Sequence, residues 1–267
     1  EDLSRGLGDV YKRQPLISII TVVLNGEKFL DQTIQSIINQ TYKNIEYIII
    51  DGGSTDGTLE IIKKYEDKIS YWVSEEDNGI GNAFNKGVKI SKGTYINFQG
   101  HGDGFISYDA LEKVFQNVDP EKDMLVSARI KRIGIHGIEI FTSKYIEKVN
   151  KWSLLVRMSL PHQGLFTHKN YFKTDGLFDE NNTFCMDYEH LLRSYKNFPR
   201  VHTSRVVVAN WRADGLGNGK ITEIYKEWDK IKRDNKVANN LVLNLVNYWN
   251  LLKPVSYTHL RAHETSP

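Results

Sequence analysis

Residues 17–58 read ISIITVVLNGEKFLDQTIQSIINQTYKNIEYIIIDGGSTDGT. Leu16 to Leu24 and Ile45 to Ile50 are continuous apolar, β-branched runs. Runs without alternation mark strands covered on both faces, as in a parallel sheet. Between them Ile34, Ile37 and Ile38 set a helical stripe over Lys28 to Gln40, completing a βαβ unit. After the turn, Thr55 or Asp56 is placed to cap a helix whose Leu59, Ile61, Ile62 and Tyr65 face inward. Further out come a strand near Ile69 to Val73, a helix near Ile80 to Ser91 and a strand over Thr94 to Phe98. This alternation predicts an open, doubly wound, mostly parallel α/β sheet.

The second half changes character. Met124 to Arg132 and Gly137 to Thr142 read as strands joined through glycine, hence antiparallel. Helices near Lys169 to Thr174 and Met186 to Tyr195, a strand over Arg200 to Asn210, a loop bearing Gly215, Gly217 and Gly219, and a helix from Ile221 to about Leu252 complete the pattern. In its last stretch Val237, Leu241, Leu245, Trp249 and Leu252 share a face, expected to pack onto the domain; a shallow membrane contact is the sharper alternative. The expected organisation is one domain over residues 15–254, with halves at 15–105 and 106–254. Residues 1–14 and 255–267 carry no period and read as foreign or disordered segments, so the i, i+4 pair His259 and His263 is not taken as a metal site.

Composition narrows the function. A net charge of +2 on 267 residues lacks the basic excess of a nucleic-acid-coating protein. The one cysteine, Cys185, excludes an intrachain disulfide framework and a cysteine-based zinc site, and fits a reducing compartment. No run of apolar residues is long enough to span a bilayer and no signal-peptide pattern opens the chain, so a cytoplasmic globular protein is expected.

Ligands of open α/β sheets bind beyond the carboxyl ends of the strands. Those ends carry Asn25 and Glu27, then Asp51 to Asp56, then Asp103. The glycines admit close backbone approach and Asp51 can accept hydrogen bonds from a base or ribose edge, although the same residues also make a capped strand-to-helix turn. Neither GxGxxG nor GxxxxGK[ST] occurs, which leaves a divalent cation on carboxylate oxygen, helped by Lys86, as the means of holding phosphate.

Three stretches resemble family 2 glycosyltransferases of the GT-A fold: residues 17–62, residues 75–98 (EEDNGIGNAFNKGVKISKGTYINF) and residues 162–194 (HQGLFTHKNYFKTDGLFDENNTFCMDYEHLLRS). The resemblance implies an inverting transferase that moves a sugar from a nucleotide-sugar, expected to be a UDP-hexose or UDP-N-acetylhexosamine, to a hydroxyl of a glycan or lipid-linked acceptor in surface-glycan synthesis. It places the donor against Val22, Leu24, Asn25, Glu27, Asp51, Gly53, Ser54, Asp77, Asn85 and Lys86. Asp103 would hold Mn2+ or Mg2+, and Asp187 would be the general base, although an acid there also suits a helix start. His101, His162, Trp211 and Arg212 are further candidates: His101 for the metal, His162 facing metal or diphosphate, the last two in a segment closing over the donor. Trp211 also suits a strand-end core position.

Two departures matter. Gln99-Gly100-His101-Gly102-Asp103 leaves one carboxylate where many relatives carry two, and Gly81-Asn82 stands where relatives often show Tyr and Asp. A catalytically degenerate nucleotide-sugar-binding module is therefore the rival reading. A sugar nucleotidyltransferase is the other, but it would need a glycine-rich basic loop where Asn25-Gly26-Glu27 stands.

Overall fold

In the computed structural model, which describes residues 14–134, 136–213, 215 and 217–250, every residue of β1 (Ile17–Val23) is buried. It pairs in parallel with β2 (Ile45–Asp51) on one side and β4 (Tyr95–Gly100) on the other, and β3 (Tyr71–Ser74) extends the sheet beyond β2. β3 begins two residues later than its sequence pattern suggests, because Ile69 packs from the connection before the ladder starts. The helices α1 (Leu30–Ile38), α2 (Thr58–Lys64) and α3 (Ile80–Ile90) follow the first three strands in the expected alternation. Each fully buried isoleucine of these strands contributes roughly 1.5–3 kcal/mol, which explains the continuous apolar runs.

Through β5 (Gly104–Phe105), β6 (Leu125–Ile133), β7 (Glu139–Thr142), β8 (Leu165–His168) and β9 (Val201–Arg212) the sheet continues across the chain's second half; among the described residues it has nine strands in the order β3-β2-β1-β4-β8-β6-β9-β5, with β7 on β6. β5, α4 (Ala110–Phe115) and β8 are elements too short for periodicity to find. β6 meets β7 antiparallel, as their connection predicts, and runs parallel to β9. α5 (Ser153–Val156), α6 (Lys169–Asp175), α7 (Met186–Arg193) and α8 (Ile221–Asp234) cover this half. Among the described residues no helix is long and apolar enough to cross a membrane.

Two expectations for the C-terminal region are corrected. The helix from Ile221 does not run on to Leu252, a residue outside those described: it stops at Asp234, Lys236 turns into the left-handed region at φ 50°, and helix resumes over 240–250 (α9). The Asn239 side chain accepts from the Val242 amide 3.0 Å away and caps the new helix. Of the expected apolar stripe only Val237 packs inward, in the core, and Leu252 lies outside the described residues. Leu241, Leu245 and Trp249 are 70%, 62% and 59% exposed. The asparagine face packs instead: Asn247 accepts from the buried Lys232 at 2.9 Å, Asn244 from Arg233 at 2.8 Å, and Asn250 donates to the Val156 carbonyl at 3.0 Å. The terminal segments 1–13 and 251–267, with His259 and His263, lie outside the described residues.

Candidate active site

Register gathers the strand tips. Val23 stands opposite Asp51, Val22 opposite Gly100 and Asp51 opposite Ser74, so the loops after β1, β2, β3 and β4 leave the sheet at one edge. Val22 is buried in the core below this edge and Leu24 is exposed on it. The first two loops are laced together. Asn25, at φ 51°, accepts from the Thr55 amide at 2.9 Å while its own amide donates to Ser54 Oγ at 2.7 Å. Glu27 accepts from the Gly57 amide at 3.1 Å, and its amide donates to Asp56 at 3.1 Å.

Asp51 is wholly buried. Its carboxylate accepts from the Ser54 hydroxyl, the Ser54 amide at 3.0 Å, the Gly53 amide at 3.2 Å and the Ser74 hydroxyl at 2.6 Å. Gly53, at φ +86°, supplies the left-handed turn that this wrapping needs. Asp77 lies over Gly52, where a Cβ would come within 2.5 Å of its Oδ2, and accepts from the Gly79 amide at 2.9 Å. Lys86 pairs with Glu75 at 2.9 Å and donates to the Glu76 carbonyl at 3.0 Å. Asn85 is buried away from the tip: it accepts from the Phe178 amide at 2.9 Å and donates to Glu180 at 2.8 Å, tying α3 to the segment before α7.

Asp103 follows β4. Oδ1 accepts from the Arg212 amide at 2.9 Å and Oδ2 from Gln163 Nε2 at 3.0 Å. Burial pushes its carboxyl up to about 6, against the pull of those two hydrogen bonds. The Arg212 guanidinium lies 3.7 Å from the Phe29 ring centroid and packs against Gly102. Trp211 is partly buried on the main core, with Arg132 over its ring at 4.4 Å. Asp214 and Leu216, in the segment expected to close over the donor, lie outside the described residues. His101 is exposed, its Cβ facing Gly26 of the first loop.

Asp187 stands in the first turn of α7, and one of its oxygens accepts from the Tyr188 amide at 2.7 Å. Its other oxygen lies 3.6 Å from His162 Nδ1. Burial lowers the pKa of His162, opposed by the Asp187 charge. Its ring stacks on Phe98 at 5.2 Å, and Nε2 is buried without a hydrogen-bond partner among the described residues. His162 thus neighbours Asp187, while the next residue, Gln163, reaches Asp103. The adjacent pair joins the acid of the first half to the acid of the second.

Among the described residues no group of three His, Cys, Asp or Glu gathers, so the protein offers a single carboxylate with an amide beside it. The Asp103 carboxyl is raised by burial in spite of the nearby Arg212 charge, and Gly100 leaves open the space where a Cβ would stand 3.2 Å from Oδ2. Mg2+ or Mn2+ held by one carboxylate, with phosphate and water as the remaining ligands, fits this arrangement.

Sequence reasoning missed Thr33 and the pair Asn97 and Gln99. Thr33 donates to the Asp103 carbonyl at 2.6 Å and accepts from the Gly102 amide at 2.8 Å, fixing the Asp103 loop from α1. Asn97 and Gln99 donate to the Gln163 carbonyl at 3.2 and 2.9 Å. Two amide side chains inside an otherwise apolar buried strand are the signal that would have found them.

With this geometry in place, comparison with known proteins decides the family. The family model of Glycosyl transferase family 2 matches residues 18–195. The chain belongs to glycosyl transferase family 2. Among its relatives are an uncharacterised glycosyltransferase of Rickettsia typhi, 34% identical over 182 residues (66% of this chain, 57% of that protein), and a PGL/p-HBAD biosynthesis glycosyltransferase of Mycobacterium bovis, 27% identical over 245 residues (88% and 91%). The chain thus spans little more than half the length of the rickettsial protein. Its fold is that of GT-A glycosyltransferases. S. aureus TarS 1–349 in complex with UDP superposes with a TM-score of 0.66 at 18% identity, covering 88% of this chain and 70% of that one. The mannosyltransferase PcManGT of Pyrobaculum calidifontis, in complex with GDP-Man and Mn2+, gives 0.66 at 15% identity over 99% and 83%.

Proposed function

We propose that the chain is an inverting, cation-dependent glycosyltransferase that moves a sugar from a UDP-hexose or UDP-N-acetylhexosamine to a hydroxyl of a glycan or lipid-linked acceptor on the cytoplasmic side. The observation that carries this reading is the meeting of Asp103 and Asp187, from the two halves of the chain, on the adjacent residues Gln163 and His162 at 3.0 and 3.6 Å. Family membership, the UDP in TarS and the GDP-Man and Mn2+ in PcManGT support it.

The donor base lies across Leu24 and the laced Asn25–Ser54 wall, with Val22 beneath and Glu27 and Gly53 shaping the loops. Asp51 builds that wall from inside, and Asp77 and Lys86 border the ribose and phosphates. Asn85 acts at one remove, through its hold on Phe178 and Glu180. Asp103 would hold a divalent cation, which would supply charge neutralisation for the departing diphosphate. Asp187 takes the proton of the acceptor hydroxyl as its oxygen attacks the anomeric carbon from the face opposite the diphosphate, so the configuration inverts. Arg212 and Trp211, at the end of β9, border the same site, and His101 stands at its rim.

Leu241, Leu245, Tyr248 and Trp249 project from α9, and residues 237–252 contain no charged side chain. This face suits shallow contact with a phospholipid surface, where aromatic and leucine side chains partition favourably. That contact would bring the enzyme to a lipid-linked acceptor.

The test is a titration of UDP and UDP-sugars with and without Mn2+, followed by an assay of UDP release with water or saccharide acceptors. Cation-stimulated binding with turnover is expected. The second reading, a degenerate binding module, draws on the single carboxylate at the cation site. Binding without turnover, donor hydrolysis included, would favour it.

A further inference from the structure

The 3-10 turn His162–Gly164 enters β8 directly after Pro161 and is clamped from several sides. A Cβ on Gly164 would meet the Ala128 carbonyl of β6 at 2.4 Å, so only glycine lets the turn sit this close. β4 and β8 pair only through Tyr95 and Ile96. Beyond that point Asn97 and Gln99 replace backbone pairing by donating to the Gln163 and Leu165 carbonyls. The His162 ring stacks on Phe98 with an interplanar angle of 11° and leans on Phe84 at 5.4 Å, which blocks its rotation out of the site.

From this clamped turn two successive side chains reach opposite ways. Gln163 holds Asp103 at 3.0 Å, and His162 Nδ1 faces Asp187 Oδ2 at 3.6 Å. That second distance is just beyond a hydrogen bond, a spacing that tightens in catalytic pairs when substrate is bound. A buried neutral imidazole has one N–H and one lone pair. Opposite a carboxylate the proton belongs on Nδ1, and the buried Nε2, without a partner among the described residues, offers no path for passing a proton onward. The ring therefore orients and does not relay.

We propose that His162 is a positioning residue: its Nδ1–H holds one oxygen of Asp187 so that the other faces the acceptor hydroxyl, and with Gln163 it makes one backbone turn the spacer between the proton acceptor and the cation site. The proposal rests on the sugar-transfer reading. The acceptor proton goes to Asp187 in every case, and His162 keeps its own.

The test uses the full chain and three His162 backgrounds. His162→Phe keeps the stacked ring and removes the N–H; His162→Asn restores a donor near the Nδ1 position. His162→Phe is expected to bind UDP with Mn2+ within about twofold of wild type, yet to hydrolyse bound UDP-sugar about 10- to 100-fold more slowly, with His162→Asn recovering most of that loss. Added to Asp187→Asn, His162→Phe should cost nothing further. Full activity of His162→Phe, or an equal loss in both backgrounds, overturns the proposal. Gln163→Ala should weaken Mn2+-stimulated UDP binding about tenfold and leave metal-free UDP binding unchanged; an unaltered Mn2+ response overturns the spacer. Ring nitrogen NMR shifts give a readout independent of turnover. Nδ1 should carry the proton in wild type, with a pattern that changes in Asp187→Ala, and a proton found on Nε2 overturns the pairing. If wild type neither binds nor turns over any UDP-sugar, the sugar-transfer reading falls, while the nitrogen shifts still decide whether His162 holds Asp187.

Discussion

Asp51 and Asp187 are both acids at the end of an element and both belong to the proposed site, and their surroundings are opposite. Asp51 is wholly buried and accepts from four donors of its own loop and of β3. Asp187 keeps 20% of its side chain exposed, with a single hydrogen bond to the neighbouring Tyr188 amide and a histidine standing off at 3.6 Å. A carboxylate saturated by the fold is part of the scaffold. One with unfilled acceptor capacity in a partly dry site is available for chemistry, because every buried lone pair left open costs free energy that a reacting hydroxyl can recover. Asp103 lies between these extremes, with one donor on each oxygen and its carboxyl raised to about 6.

The contrast is broken most directly at Asp187. Asp187→Asn should lower UDP release by about 10^2- to 10^4-fold while leaving UDP affinity within about twofold. A large loss of binding with little loss of turnover per bound donor would place Asp187 among the donor contacts instead.

Asp51→Ala should act through the scaffold. It strands four donors, two of them buried and two partly buried, which is worth about 3–5 kcal/mol of stability and a fall of about 10 °C in Tm. UDP affinity should fall with it. If Asp51→Asn removes UDP binding while the melting temperature holds, the residue reads the base and saturation is a poor guide to role.

Asp103 sharpens the comparison through pH. Its folded carboxyl, at about 6 against an ordinary 3.8, binds its proton more tightly in the folded state. Stability from this group is therefore fully present below about pH 4, declines as pH rises towards 6, and is flat above. By pH 7 the ionised form costs up to about 3 kcal/mol in metal-free protein. Asp103→Asn should remove that slope, raise metal-free stability at pH 7 by up to this amount and abolish the Mn2+ enhancement of UDP binding. Urea melts from pH 4 to 8 check the first two effects, and an unchanged slope contradicts the burial that raises this carboxyl.

The parallel half was legible because β1 and β2 declare themselves by near-continuous apolar runs, and the candidate acids Asp51 and Asp103 sit at strand ends that any parallel sheet exposes. What remained hidden has specific causes. β8 spans four residues and takes part of its partnering from Asn97 and Gln99, which a hydropathy pattern scores as misplaced polar residues. The His162–Gln163 link depends on contacts 25 and 60 residues away along the chain, between Asp187 and Asp103, which spacing alone does not bring together. In α9 the period was right and the covered face was wrong. Periodicity reports that a helix has two sides; it does not report that buried Lys232 and half-buried Arg233 await the side that carries Asn244 and Asn247.

That last point gives the smallest effect and a sharp test. An exposed leucine and tryptophan stripe on one side, with Leu243, Asn247 and Asn250 against the protein on the other, departs from the usual helix. Leu241→Asp with Trp249→Asp alters only exposed positions, so stability should change by no more than about 0.5 kcal/mol, while pelleting with phosphatidylcholine vesicles should be lost. Asn247→Leu does the converse. It leaves the outer stripe intact but removes the 2.9 Å acceptor of Lys232, whose ammonium burial already lowers to about 8. Lys232 is then left with the Leu155 carbonyl at 3.4 Å, and a buried cation so weakly held costs more than the added methyl groups return, so this variant should melt earlier and still pellet with vesicles. If instead the aspartates destabilise the fold and Asn247→Leu does not, the leucine stripe is the packed side, and the reason for a lipid surface beneath α9 disappears with it.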